Sequence, residues 1–74
     1  MKSLLEGKKG RFEKIVGLSY DNKKIKQRLL ELGFTPRQNI RLVRRSLLGE
    51  TVLVEIRGYT LSLRKEIAKG ILVD

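Results

Sequence analysis

The chain has 74 residues, of which 41% are apolar, 17 are Lys or Arg and 8 are Asp or Glu, giving a formal net charge of +9. This length allows one domain with a small core and leaves little room for a deep catalytic cleft, and the apolar fraction is that of a folded chain. With no cysteine and no histidine, the sequence excludes disulfides, thiolate metal sites, a cysteine nucleophile and any Ser/His/Asp set.

No apolar run approaches the roughly 20 residues of a membrane-spanning helix. Met1 to Gly7 is basic only at Lys2 and lacks the apolar region of a secretory signal. A cytoplasmic protein is expected. The charge favours a partner of negative potential, such as RNA, DNA, a membrane surface or an acidic protein, without choosing among them.

Gly7-Lys8-Lys9-Gly10 reads as a turn, and Arg11 to Leu18 as a strand. Ile15 and Leu18 fall on opposite parities, and Gly17 between them can host a bulge that resets the face. Residues 22–32 read as a helix capped by Asp21 or Asn22, with Ile25, Leu29 and Leu32 forming one apolar stripe. Leu30 lies off that stripe. Gly33 is the expected left-handed stop, with Phe34 packing back on Leu29 and Pro36 preventing the helix from resuming.

Beyond the turn, Ile40 and Leu42 share one parity, and Arg41, Val43 and Arg45 the other. Thr51 to Arg57 alternates most clearly: Val52, Val54 and Ile56 face one way, Leu53, Glu55 and Arg57 the other. Gly58-Tyr59 fits a two-residue type II′ hairpin turn, which pairs Arg57 with Thr60, Ile56 with Leu61 and Val54 with Leu63. Arg64 to Lys69 reads as a helical turn, and Ile71-Leu72-Val73 as a last short strand. About five short strands with one inserted helix make a mainly β domain, and strands this short bury an apolar face most simply by curling into a small barrel.

No Walker A or GxGxxG stretch is present, and Gly7-x-x-Gly10 lacks the flanking helices that a KH clamp needs. The carboxylates are scattered. Neither an enzyme nor a bound cofactor is expected. The basic residues have two readings: solvated faces of a helix and strands, or a docking surface made by Arg37, Arg41, Arg44, Arg45, Arg57 and Arg64. Arginine grips carboxylate or phosphate equally well. Single-stranded nucleic acid would call for aromatic platforms among the charges. Phe12 and Phe34 read as core or staple residues, which leaves Tyr20 and Tyr59. Leu30, Val43, Leu47, Leu48, Leu53 and Leu72 are unexplained by the inward stripes; several on one face would make an apolar patch suited to a protein partner.

The stretch Lys26-Gln27-Arg28-Leu29-Leu30-Glu31-Leu32-Gly33-Phe34-Thr35-Pro36 resembles the "RLLELGL-x-PG" signature of the FeoA family, the small component of bacterial ferrous iron transport. The resemblance continues through Leu48-Gly49-Glu50-Thr51-Val52-Leu53-Val54, Arg57-Gly58-Tyr59, Leu61-Ser62-Leu63-Arg64 and Ala68-x-x-Ile71-x-Val73, and upstream through Leu5-x-x-x-x-Gly10 and Lys14-Ile15-Val16. It departs at Arg37, where the family usually has glycine, and at Thr51, where it usually has proline. Arg37 disfavours a type II turn and points to type I.

The resemblance implies one SH3-like domain over residues 1–74. It also implies an accessory role with FeoB, the ferrous iron permease with a cytosolic GTPase domain, by which the chain would also lie at the inner membrane. It does not imply an iron carrier, and without His or Cys the chain has no soft ligand set for Fe(II). The barrel at the C-terminus of iron-dependent repressors is a second likeness, but those proteins add a helix-turn-helix domain that these residues do not contain. Leu30, Arg41, Arg45, Leu53 and Arg57 are the expected partner-surface residues. The rival reading is a small basic barrel that binds RNA or DNA with strong salt dependence. Short exposed strand edges also permit weak self-association.

Overall fold

A computed structural model describes all of residues 1–74. The elements run β1 (Lys2–Ser3), a 3₁₀ turn (Leu4–Glu6), β2 (Phe12–Leu18), α1 (Lys23–Glu31), β3 (Asn39–Arg45), β4 (Thr51–Ile56), β5 (Tyr59–Arg64), α2 (Lys65–Ala68) and β6 (Ile71–Val73). Six antiparallel strands form one sheet in the order β1-β6-β2-β3-β4-β5. The sheet curls round its core as a small SH3-like barrel, with β1 and β5 as its two edges.

β2 is the pivot. Its first half pairs with β3 (Phe12 opposite Arg41) and its second half with β6 (Ile15 opposite Val73, Leu18 opposite Ile71). The register shifts between Ile15 and Gly17, so Val16 is the extra residue of a bulge. The expected reset of the face follows: Ile15 and Leu18 both oppose buried residues, and Val16 is exposed.

The helix stop is also as expected. Asn22 is the cap, its Oδ1 accepting from the Lys24 amide at 2.8 Å. At the other end Gly33 has φ 106°, its amide donates to the Leu30 carbonyl at 3.1 Å, and the Phe34 amide donates to the Leu29 carbonyl at 2.9 Å. That is a Schellman motif, and it delivers Phe34, fully buried, onto Leu29 in the core.

Four features differ from expectation. The first is the N-terminus, which is structured. Ser3-x-x-Glu6 is a capping box: Ser3 Oγ accepts from the Leu5 amide at 3.2 Å and Glu6 Oε1 from the Ser3 amide at 3.1 Å. This seats Leu4 in the core with no exposure. The spacing was a readable signal.

The second is the turn at Thr35-Pro36-Arg37-Gln38. It is type II, closed by the Gln38 amide to the Thr35 carbonyl at 3.1 Å, with Arg37 at φ 76°. Long-range bonds impose it: the Arg37 amide donates to the Ile15 carbonyl at 2.7 Å and the Ile15 amide to the Gln38 carbonyl at 2.9 Å. Glycine relieves the left-handed strain, so Arg37→Gly is expected to stabilise the domain by about 0.5–1 kcal/mol, read as a higher urea midpoint.

The third is the β4–β5 hairpin. Its central residues are Arg57 (φ 52°) and Gly58 (φ 83°), a type I′ turn, and Ile56 opposes Tyr59, Val54 opposes Leu61 and Val52 opposes Leu63. The type I′ twist suits the strands, and Arg57 accepts a positive φ for it. Moving the loop by one residue shifts each pair by two, so inward residues still meet inward residues.

The fourth is β3. A register shift between Leu42 and Arg44 places Arg44 opposite Leu53 and Arg45 opposite the buried Val52. Arg45 therefore leaves the face of Arg41, and its guanidinium bends over the barrel rim to donate to the Leu5 carbonyl at 2.6 Å.

Candidate functional site

A groove of about 290 Å³ runs between α1 on one side and β5 with α2 on the other. Leu29 and Leu63 are its buried floor, Ile25, Leu61 and Ile67 its half-buried walls, and Leu32 stands 40% exposed at its mouth. Arg28 and Ser62 supply the polar rim. The stripe Ile25, Leu29 and Leu32 makes this groove because the opposite wall ends short of it: α2 is a single helical turn, and it covers only part of the stripe.

Two tyrosines fix the walls. The Tyr59 hydroxyl donates to the Leu32 carbonyl, tying β5 to the end of α1. The Tyr20 hydroxyl donates to the Ile67 carbonyl, tying the segment before α1 to α2. The Tyr20 reach needs a glycine, and Gly33 leaves room for the Arg57 side chain. A Cβ on Gly33 would stand 2.7 Å from Arg57 Cδ, and one on Gly70 would stand 2.5 Å from the Tyr20 ring. Gly70→Ala is therefore expected to cost about 1–3 kcal/mol by displacing that ring, read from the thermal transition.

Burial pushes the Tyr20 phenol up to about 12, from the usual 10. The folded state then holds this proton where the unfolded state has begun to lose it. Stability is full below pH 10 and falls as pH rises from 10 through 12. Tyr20→Phe is expected to flatten that limb in a pH series of unfolding midpoints.

The five expected partner-surface residues fall in separate places. Leu30 is half-buried on α1. Arg41 is paired with Glu55 and lies over the Phe12 ring, 4.8 Å from its centroid. Leu53 is half-buried on the outer face of β4, beside Arg44, Thr51 and Ser62. Arg45 and Arg57 lie near opposite ends of β4, the first at the rim beside Val52 and the second in the β4–β5 turn against Gly33. Only Arg41 and Leu53 share a surface, on neighbouring outward rows of β3 and β4.

The groove residues Ile25, Leu61, Leu63 and Ile67 were not marked by sequence reasoning as a surface. Their alternation looks like core, and the signal available was that α2 is too short to cover the helix stripe. The aromatics also depart from expectation. Phe12 is 49% exposed beneath Arg41 rather than in the core, and the hydroxyls of both tyrosines are tethered to backbone carbonyls. No three carboxylates converge on one point, and no helix is long and apolar enough to cross a membrane.

The chain is similar to several solved structures. The FeoA-like protein of Clostridium acetobutylicum is 29% identical, with a TM-score of 0.86 over 99% of this chain and 84% of that one. FeoA of Stenotrophomonas maltophilia, an SH3 domain protein complexed with zinc, is 28% identical, with a TM-score of 0.86 over 100% of this chain and 91% of that one. A manganese-dependent transcriptional repressor shares the fold at 19% identity, with a TM-score of 0.87 over 99% of this chain and 35% of that one. No curated protein sequence matches. The FeoA domain model matches residues 1–74 in full, and the chain therefore belongs to the FeoA family of small accessory proteins of ferrous iron transport.

Proposed function

We propose that the domain is a non-catalytic adaptor on the cytosolic side of the membrane that binds the GTPase region of a FeoB-type ferrous iron permease and supports Fe(II) uptake. The observation that carries this reading is the groove of α1, β5 and α2: a preformed apolar floor with a polar rim, held open by two tyrosine tethers. Such a site takes an apolar anchor from a partner protein. The formal charge of +9 adds attraction to an acidic surface and speeds encounter. The nucleic-acid reading draws less support, because Arg41 is committed to Glu55 and Phe12.

The test is Fe(II) uptake in cells lacking the protein. Uptake is expected to fall on deletion and to return with the wild-type chain but not with one in which the groove is filled by charge. Unchanged uptake on deletion would sink the proposal.

A further inference from the structure

The β3–β4 hairpin carries two leucines that nothing in the fold uses. Leu47 is 101% exposed and Leu48 is 79% exposed. Their position is built, not loose. The Ser46 amide donates to the Thr51 carbonyl at 2.9 Å, the Gly49 amide to the Ser46 carbonyl at 2.9 Å, and the Thr51 amide to Ser46 Oγ at 3.1 Å. Gly49 takes φ 74°, which lets the chain turn back. The two side chains are thus presented at the tip of a closed turn, ahead of the barrel.

The same end of the barrel gathers cations. The Gly10 amide donates to the Leu42 carbonyl at 2.7 Å, which lays the 7–11 loop along β3 and brings Lys8, Lys9 and Arg11 towards Arg44 and Arg45. All five are exposed, and the two ion pairs of the molecule, Lys2–Glu13 and Arg41–Glu55, include none of them; Arg45 gives one of its N–H groups to the Leu5 carbonyl and keeps its others free. On the other side of the hairpin, Glu50 and Glu66 share a cleft with Arg64 and Lys65, so those four charges offset one another. Glu6 accepts from the Ser3 amide, and Glu13, paired with Lys2, lies against Gly7 at the start of the loop.

We propose that this hairpin is a membrane wedge: Leu47 and Leu48 enter the interfacial layer of an anionic bilayer while Lys8, Lys9, Arg11, Arg44 and Arg45 meet the lipid phosphates. An apolar tip backed by basic residues is the arrangement that binds such surfaces, with burial and charge acting together. A protein socket is the weaker fit, since two fully projecting side chains on a narrow turn offer no surrounding surface to match one. A nucleic acid is weaker still, as leucines do not stack on bases. The contact is direct to lipid and owes nothing to the permease. Each cation held near an anionic surface raises partition about fivefold, and the two leucines together add about tenfold or more.

The chain has no tryptophan, so Leu48→Trp introduces a single reporter at the tip. With vesicles of phosphatidylglycerol and phosphatidylcholine, its emission is expected to shift to the blue and to be quenched by lipids brominated on the acyl chains. Vesicles of phosphatidylcholine alone should give neither effect. Leu47→Glu with Leu48→Glu should lower co-sedimentation of the otherwise native chain about tenfold or more, with an unchanged thermal transition because both side chains lie in water. Replacing Lys9 and Arg44 by alanine should lower it about twentyfold. No blue shift on anionic vesicles, equal binding by the double glutamate variant, or a shift seen only with the permease's GTPase domain or with an RNA oligomer would overturn the proposal. Because the vesicles contain no permease, failure here leaves the adaptor reading standing, and success does not establish it.

Discussion

Phe34→Ala should leave the domain largely unfolded. Phe34 is fully buried and is the largest wholly enclosed side chain of the core. It is also the C″ residue of the helix stop, so its ring links α1 to the barrel through Leu29. Truncating a buried phenylalanine costs about 3–5 kcal/mol in lost transfer and in the cavity left behind. Domains are stable by only about 5–15 kcal/mol, and a single core in a chain this short rarely supplies more than about 3–5 kcal/mol, which the truncation cancels. The variant is expected to lose amide dispersion at 37 °C, while Phe34→Leu, which keeps most of the volume, should fold with a loss of about 1–1.5 kcal/mol. A Phe34→Ala urea midpoint close to wild type would mean that the helix stop does not hold the helix to the barrel.

Leu32→Lys should have the opposite signature: little change in stability and a large loss of partner binding. Leu32 is 40% exposed at the mouth of the groove and is the C-cap residue of α1, where a cation meets the negative end of the helix. A surface change of this kind costs within about 0.5 kcal/mol. In the adaptor reading the same change places an ammonium where the partner's apolar anchor seats, and affinity should fall about tenfold to a hundredfold. Isothermal titration of the variant against the permease's GTPase domain measures it. A variant that binds as wild type would move the contact off the groove.

Particular residues show what a reader of the sequence alone can obtain. Arg28 to Pro36 specifies its own structure, because the apolar stripe, Gly33, Phe34 and Pro36 are local signals that agree. Gly17 marked the β2 bulge for the same reason. Turn types were harder. Arg37 and Arg57 take positive φ against their own preference, since hydrogen bonds to β2 in one case and strand twist in the other outweigh a local cost of about 1 kcal/mol. The β3 register shift that redirects Arg45 has no glycine to announce it.

The groove was legible only in halves. Ile25, Leu29 and Leu32 were visible as a stripe, but a stripe does not reveal how much of itself the opposing wall covers. That depends on α2 being one turn long and on Tyr20 and Tyr59 finding distant carbonyls. Leu47 and Leu48 were visible as leucines without an inward role, and the structure leaves them in water.

In the adaptor reading, a partner protein seats in the groove of α1, β5 and α2. The most direct measurement is an NMR titration of the isotopically labelled domain with the permease's GTPase domain at physiological salt, with an RNA oligomer as control. Shifts are expected to be confined to Ile25, Leu32, Leu61 and Ile67 and their neighbours, absent with RNA and lost in the Leu32→Lys variant. Shifts with RNA alone, or shifts with the GTPase domain that map to the outer face of β3 and β4 and spare the groove, would contradict that reading.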